Sequence, residues 1–238
     1  MILLACLLYG CGAAPDQTLP GAPRVFLWAW ERPEDLRFLD TSRYGVAFLA
    51  ATIHLKDGAV HTEPRRQPLR LAARTQVIPV IRIDTNRAPL TTQQMDAAEQ
   101  QILHYTARPG ALAAQIDFDA LQSERGFYRR LLERLGRQRK LSITALASWC
   151  LDDGWITGLP VAEAVPMLFR MGPEARQIRR RLAQGEDFRV AGCRHSTGFS
   201  TDEPLAKTVP GRRVYLFHPR PWSAAAVQAA AYHLEPIL

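Results

Sequence analysis

Two aspartates lie two positions apart at the end of an apolar segment. Asp117 and Asp119 fall in the stretch "QIDFDA". In a β-strand, residues i and i+2 share a face, so both carboxylates point one way and Ile116 and Phe118 point the other. A nearby like charge raises the pKa of a carboxyl toward the range that suits a general acid. The pair therefore predicts acid–base chemistry, with Asp119 as the acid and Asp117 as its orienting or pKa-setting partner.

A second carboxylate is needed if the chemistry is glycoside hydrolysis, in which two carboxyl groups flank the scissile bond. Asp84 and Glu31 are the candidates, because each follows another predicted strand. Arg82 shares a strand face with Asp84 and is placed to pair with Asp117, which would oppose the rise in pKa. The alternative interpretation is a buried polar network that closes one end of the fold and has no catalytic role.

All five tryptophans lie at or just beyond the C-terminal ends of predicted strands, as do several polar residues. Indole rings in such positions either cap an apolar core or line a cleft and stack on sugar rings, and the two roles are compatible. The partner predicted from these residues is a carbohydrate or another small polar ligand. The predicted binding residues are Trp28, Trp30, Arg82, Trp149, Asp152, Arg170, His218 and Trp222.

Cysteine and histidine residues offer a third kind of chemistry. Cys150, Cys193 and His195 would supply three metal ligands, but their spacing matches no established zinc pattern. We therefore predict no metal and no cofactor. A metal hydrolase built on the Asp and His residues remains an alternative that an assay of bound metal would decide. We expect the two cysteines to be buried thiols, although an oxidising compartment would permit a disulfide.

Residues 1–23 are predicted to form a leader and a linker. An apolar run ends in "LYGC" at Cys11, which resembles the lipobox of bacterial lipoproteins. The run is too short to span a bilayer and lacks a positively charged start. The resemblance implies cleavage before Cys11, lipidation of this residue and a membrane anchor in the periplasm. Gly12, where inner-membrane lipoproteins carry Asp, indicates the outer membrane.

From residue 24 to 238, strand-like and helix-like segments alternate as one domain. Such alternation predicts a parallel sheet with helices outside it. Eight units, with no Gly-rich phosphate-binding motif, favour an α/β fold of the (β/α)8 TIM-like barrel type over an open sheet. The predicted strands cover residues 24–30, 44–55, 76–84, 111–119, 141–149, 163–171, 187–193 and 212–218.

The connections between these strands complete the expected architecture. A short helix is predicted over residues 33–39, and "KDG" at positions 56–58 predicts a β-hairpin inserted after strand two. Thr91 and Gln94 form a capping box for a helix. No clear helix follows strand seven. Because the active sites of such barrels lie at the C-terminal ends of the strands, the candidate residues are expected to converge there.

The stretches "WAWERPEDLRFLD", "QIDFDALQSERGFYRRLL", "LSITALASWC" and "PVAEAVPMLFRMG" resemble a bacterial domain-of-unknown-function family of exported, lipoprotein-like proteins. More distantly, the segment at Asp117 is similar to the Asp-x-Asp-x-Glu signature of chitinase-like barrel glycosidases. In that family the last Glu is the general acid and the substrate's N-acetyl group assists. Here Leu121 stands at the Glu position, and Glu124 lies on the following helix.

Composition narrows the functional classes further. The chain is 47% apolar and 22% charged, which excludes a disordered protein. Its net charge of +7 is spread over helix-like segments without interleaved aromatic residues, so nucleic-acid binding is not predicted. The sequence favours an exported, glycoside-hydrolase-like barrel that acts on or binds envelope or extracellular carbohydrate. The alternative is a non-catalytic envelope lipoprotein, either a glycan-binding module or a scaffold.

Overall fold

Strands and helices alternate along the chain in the computed structural model, which describes residues 19–207 and 209–235. Strands rich in β-branched and aromatic residues, such as "VFLWA" and "VIPVIRIDT", form the interior of the fold. The strands in these residues are β1 (Val25–Ala29), β2 (Glu34–Leu36), β3 (Tyr44–Lys56), β4 (Ala59–Pro64), β5 (Leu69–Leu71), β6 (Val77–Thr85), β7 (Ala114–Asp117), β8 (Leu141–Leu146), β9 (Glu163–Met167), β10 (Ser196–Ser200) and β11 (Arg213–Phe217).

Eight of these strands form a closed parallel barrel. Its order is β1, β3, β6, β7, β8, β9, β10 and β11, and the ring closes because β1 pairs with both β3 and β11. The (β/α)8 TIM-like prediction is confirmed. The predicted hairpin after strand two is confirmed as well, since β4 returns antiparallel to β3 around Asp57 and Gly58.

Four α-helices of the described chain pack around the barrel. The first begins with the predicted capping box, in which Thr91 accepts a hydrogen bond from the Gln94 amide and the Gln94 side chain accepts one from the Thr91 amide. Ser223 caps the last. A π-helix over Trp149–Asp153 stands in place of the helix after β8, and a loop follows β10. The helices are α1 (Thr92–Thr106), α2 (Arg125–Gly136), α3 (Ala175–Ala183) and α4 (Ala224–Leu234).

Alternation along each strand divides the apolar side chains into two cores. Val25 and Leu27 belong to the outer core between sheet and helices, whereas Phe26 and Trp28 fill the barrel interior. The Trp28 ring lies so close to β10 that a Cβ at Gly198 would stand 3.0 Å from it. This strand therefore needs a residue without a side chain beside the indole.

One extra residue changes the alternation along β3. The pairing of β3 with β6 is in register up to Leu49, skips Ala50, and resumes at Ala51. Such a bulge exchanges the faces on which later side chains project. Thr52 and His54 consequently face Arg82 and Asp84 at the mouth of the barrel, where the odd-numbered residues would otherwise have pointed.

Two predicted elements are wrong. Residues 33–39, predicted to form a helix, contain the strand β2 instead, because this segment pairs with β5 on the return of the hairpin. The strand expected over residues 187–193 contains instead a 3-10 helix at Ala191–Arg194, with Phe188 buried in the outer core. The seventh barrel strand is "STGFS", which lacks the apolar pattern of a buried strand and has Gly198 at the point where the Trp28 ring lies against it.

The expectation of two free thiols is also wrong. Cys150 and Cys193 form a disulfide with their Cα atoms 5.9 Å apart, and both residues are fully buried. The bond joins the π-helix after β8 to the 3-10 helix before β10. It thus ties the segment that replaces the helix after β8 to the segment that leads into β10, across a sequence separation of 43 residues.

The predicted leader, including the lipidation site Cys11, lies outside the described residues. Within residues 19–207 and 209–235, no helix has the length and apolar character needed to cross a bilayer.

Candidate active site

A cavity of about 310 Å³ opens at the C-terminal ends of the barrel strands. This is the end at which barrels of this type carry their chemistry. Asp117 and Asp119 form part of its wall, and Trp28 and Trp30 form another. Apolar and aromatic side chains from β8, β9, β11, the segments that follow β8 and β9, and helix α3 complete it: Leu146, Ala147, Met167, Phe169, Met171, Ile178 and Phe217.

Asp117 lies in the wall of this cavity with its carboxylate buried. One oxygen accepts a hydrogen bond of 2.6 Å from the Thr144 hydroxyl, and the other lies 3.4 Å from Nη1 of Arg82. Burial raises the pKa of Asp117 to about 6, against the opposing effects of Thr144 and Arg82, and the negative charge of Asp119 adds to the rise. The group is therefore able to exchange a proton near neutral pH.

Asp119 lies nearer the solvent, at the mouth of the cavity. Among the described residues, none donates a hydrogen bond to its carboxylate. Partial loss of water raises the pKa of Asp119; the positive charge of Arg82 acts against this rise and the negative charge of Asp84 adds to it. A carboxyl group that is accessible, unpaired and shifted toward neutrality is suited to transferring a proton to a ligand.

The two proposed second carboxylates lie outside this cavity. Asp84 accepts a hydrogen bond of 3.0 Å from Nε of Arg82 and lines the adjoining hollows on the hairpin side. Glu31 accepts hydrogen bonds from the backbone amides of Arg66 and Gln67, at 3.0 and 3.1 Å. The structure thus places Asp84 beside the aspartate pair through Arg82, but it holds Glu31 against the hairpin return.

Only two of the tryptophans line the cavity. Trp28 donates its indole N–H to Gln115 at 2.8 Å, and Trp30 lies half-buried beyond it. Trp149 is buried in the outer core against Trp155, with ring centroids 5.0 Å apart. Trp222 is also buried, and its N–H is donated to the Trp28 carbonyl oxygen at 3.0 Å. Trp149 and Trp222 therefore support the rim without reaching a ligand in the cavity.

Of the remaining predicted binding residues, two line the cavity and two lie outside it. Arg82 and Arg170 line the cavity. Asp152 forms an ion pair of 2.8 Å with Arg181 on the outer surface. His218 lies 2.5 Å from the Thr201 hydroxyl beside a separate hollow, and burial lowers the pKa of its imidazole.

Glu174 is a cavity-lining carboxylate that the sequence reading missed. It ends the 3-10 helix Gly172–Glu174, which follows β9, and lines the cavity together with Asp117 and Asp119. The signal available was "GPE" directly after strand six, since Gly-Pro marks a loop at the end where the chemistry is expected. The carboxylate of Glu124 points elsewhere, because it accepts hydrogen bonds from Thr85 and from the Leu121 amide.

A second polar cluster at the opposite end of the barrel interior was also missed. Gln115 donates to the Ser142 hydroxyl at 3.0 Å, and Glu163 accepts from Tyr215 and, at 2.6 Å, from Arg213. Glu163 has essentially no exposed surface. We call these five residues the base network.

The side chains present do not form an evident metal site. Cys150 and Cys193 are bonded to each other, so they do not act as thiolate ligands beside His195. In the part of the chain that the structure describes, no group of three or more His, Cys, Asp or Glu side chains is arranged to hold a metal ion.

Comparison with known proteins adds no relative: no protein-family model, no curated protein and no solved structure matches the chain. The functional argument therefore depends on the geometry of the cavity.

Proposed function

We propose that this protein is a glycoside-hydrolase-like barrel that acts on envelope or extracellular carbohydrate. The observation that supports this proposal is the open cavity in which Asp117 and Asp119 lie beside the indoles of Trp28 and Trp30. A polar network that merely closed the barrel would be covered by side chains. Aromatic walls with a few convergent polar groups are typical of small-ligand sites, and indole faces suit the apolar faces of sugar rings.

Asp119 is the proposed proton donor to the glycosidic oxygen. Its carboxyl is accessible from the cavity and has no hydrogen-bond donor among the residues described, so a substrate oxygen can take that place. Asp117 lies deeper in the same wall, where Thr144 and Arg82 hold its carboxylate. The pKa values of both aspartates are raised, as a general acid at neutral pH requires.

Glu174 is better placed than Asp84 or Glu31 to be the second carboxylate. It lines the same cavity as Asp119, from a different strand end. Asp84 is engaged by Arg82, and Glu31 is engaged by two backbone amides. In a two-carboxylate mechanism, Glu174 would act on the opposite side of the sugar from the acid, either as nucleophile or as the base that activates water.

The disulfide supports the proposal of export. Disulfides persist in oxidising compartments such as the bacterial periplasm and are rare in the cytosol. The bond between Cys150 and Cys193 is buried and joins two secondary-structure elements. We therefore keep the proposal of a periplasmic protein anchored to the membrane through a lipid on Cys11, outside the described residues.

A non-catalytic glycan-binding role is the second candidate, and a specific observation favours it. Leu121 stands where the chitinase-like signature carries its acid, and the nearby Glu124 is held by Thr85 and the Leu121 amide. A barrel that had lost this acid would keep an aromatic cavity and bind saccharide without cleaving it.

Cleavage assays on Asp119→Asn decide between the two candidates. Purified protein would be screened on diverse glycans for release of reducing ends. If Asp119 is the acid, the variant loses about 10²- to 10⁴-fold in rate, whereas Asp152→Asn, a matched change outside the cavity, has no effect. A wild-type protein that binds saccharide but releases no reducing ends from any glycan would instead support the binding module.

A further inference from the structure

Arg170 lines the cavity and has a backbone conformation that is unfavourable for a residue with a side chain. Its φ is 50°, in the left-handed region that non-glycine residues rarely adopt. Such conformations persist where surrounding contacts hold them, and they are concentrated at functional sites. Here the Arg170 amide donates a hydrogen bond of 2.9 Å to Glu203, which fixes the conformation.

The Arg170 guanidinium lies beside the cavity without an ion pair, although its positive charge contributes to lowering the pKa of Asp202. It stacks 4.9 Å from the ring centroid of Phe217, and both residues line the cavity. Within the described chain, the Arg170 side chain forms no ion pair and donates no hydrogen bond. Arg82, the other arginine of the cavity, is instead shared between Asp84 and Asp117.

The two acidic residues that interact with Arg170 have other partners as well. Asp202 accepts a hydrogen bond from the Ser200 hydroxyl. One carboxylate oxygen of Glu203 takes the Arg170 amide and the other pairs with Arg179 at 2.6 Å. The N–H donors of the Arg170 guanidinium are therefore available to a ligand that enters the cavity. Planar carboxylates match this fork of donors in a bidentate way.

We propose that Arg170 is a subsite for the carboxylate of an acidic sugar, so the carbohydrate bound here is a uronic-acid-containing glycan. The inference builds on the proposed carbohydrate site and names its substrate class. Phe217 and Phe169, whose rings stack 5.7 Å apart, form the apolar surface beside this guanidinium. The acidic sugar would lie there, with the bond to be cleaved directed toward Asp119.

Binding measurements with matched ligands test the subsite. The probes are oligomers of galacturonic, glucuronic and mannuronic acid, each compared with its carboxyl-reduced, neutral counterpart. Binding would be followed by tryptophan fluorescence, since Trp28 and Trp30 line the cavity, and by calorimetry. We expect at least one acidic oligomer to bind ten- to hundredfold more tightly than its neutral form.

Variants at position 170 assign that preference to the guanidinium. Arg170→Gly removes the side chain while suiting the left-handed backbone, so the fold is retained. Both it and Arg170→Gln should abolish the preference, and Arg170→Lys should keep only part of it because its ammonium is not bidentate. Arg176→Gln, the same change on the exposed surface of α3, should leave the preference intact.

Three outcomes overturn the subsite: equal binding of acidic and neutral oligomers, a preference that survives in Arg170→Gly, or no binding of any oligomer. The proposed hydrolysis fails separately. Charge-selective binding without cleavage would support the Arg170 subsite and reject hydrolysis. Cleavage of neutral glycans that is unaffected by Arg170→Gly would support hydrolysis and reject the subsite.

Discussion

The two ends of the barrel interior contain the same kinds of residues in opposite states. At the base, Glu163 accepts hydrogen bonds from Arg213 and Tyr215, and little of it reaches the solvent. At the mouth, Asp119 is accessible and has no hydrogen-bond donor within the described chain. Buried polar groups are normally satisfied, so the base is what a structural network looks like.

This difference in hydrogen-bond partners indicates that a ligand would bind at the mouth and not at the base. A carboxylate with all its partners in place stabilises the fold, and moving its proton would cost the whole network. A carboxylate or guanidinium without partners at an open cavity has its binding capacity free for a ligand. Residue type does not separate Glu163 from Glu174 or Arg213 from Arg170, but the state of their partners does.

The largest expected effect follows from breaking the base network. Glu163→Ala leaves the guanidinium of Arg213 and the hydroxyl of Tyr215 without an acceptor, so the free energy of unfolding should fall by about 3–5 kcal/mol. Glu174→Ala, which removes an exposed carboxylate at the mouth, should change it by less than about 0.5 kcal/mol. Urea denaturation followed by tryptophan fluorescence measures both, and equal losses would remove the distinction between the two ends.

A smaller effect is expected from pH, through Asp117. Its pKa in the folded protein is about 6, above the ordinary value of 3.8, so the neutral form favours folding. The resulting stability is fully present below pH 3.8 and is lost as the pH rises through about 6, a change of about 3 kcal/mol.

Denaturation of wild type and Asp117→Asn at several pH values checks this expectation. The variant lacks the titration, so its stability relative to wild type should increase between pH 4 and 7. Asp152→Asn is the control, because Arg181 lowers the pKa of Asp152 and leaves this group ionised throughout that range. A difference between Asp117→Asn and wild type that stays constant with pH would show that the Asp117 carboxyl ionises normally.

The smallest expected effect concerns ligand binding at the mouth and tests whether Trp30 is part of the binding surface. Trp30→Ala removes an indole that lines the cavity, and glycan binding should weaken by about 1 kcal/mol, or roughly fivefold, with little change in stability. Tyr232→Ala, an exposed aromatic on α4, should leave affinity unchanged. Calorimetry on the two variants would refute the stacking role of Trp30 if both bound as tightly as wild type.

The barrel and the aspartate pair were predictable because each depends on local pattern. Alternation around Asp117 and Asp119 fixed which way the carboxylates point, and the register of β6 with β7 places Arg82 opposite Asp117 as expected. Seven of the predicted strands overlap an observed barrel strand for the same reason: apolar β-rich runs mark buried parallel strands.

What could not be predicted depends on contacts between distant residues. The strand Ser196–Ser200 has a glycine at position 198 because the ring of Trp28, far away in sequence, lies against it. Glu163 reads as an isolated charge until Arg213 and Tyr215 are brought to it. Glu174 is likewise recognised only from the cavity that it lines, and although Arg170 was predicted to lie at the mouth, its lack of an ion pair could not be read from the sequence.

The bulge at Ala50 constrains how this protein can vary in length. Upstream of it, odd-numbered residues of β3 face the barrel interior; downstream, even-numbered ones do. Deleting Ala50 would remove the bulge and leave Ile53 and Leu55, both fully buried in the outer core, on their present face, whereas pairing Ala50 into a regular strand would turn them toward the mouth. Between the bulge and the hairpin turn, a single-residue insertion or deletion would exchange the two faces of the strand as long as the bulge is kept. Such changes should therefore be tolerated there only in pairs or together with loss of the bulge.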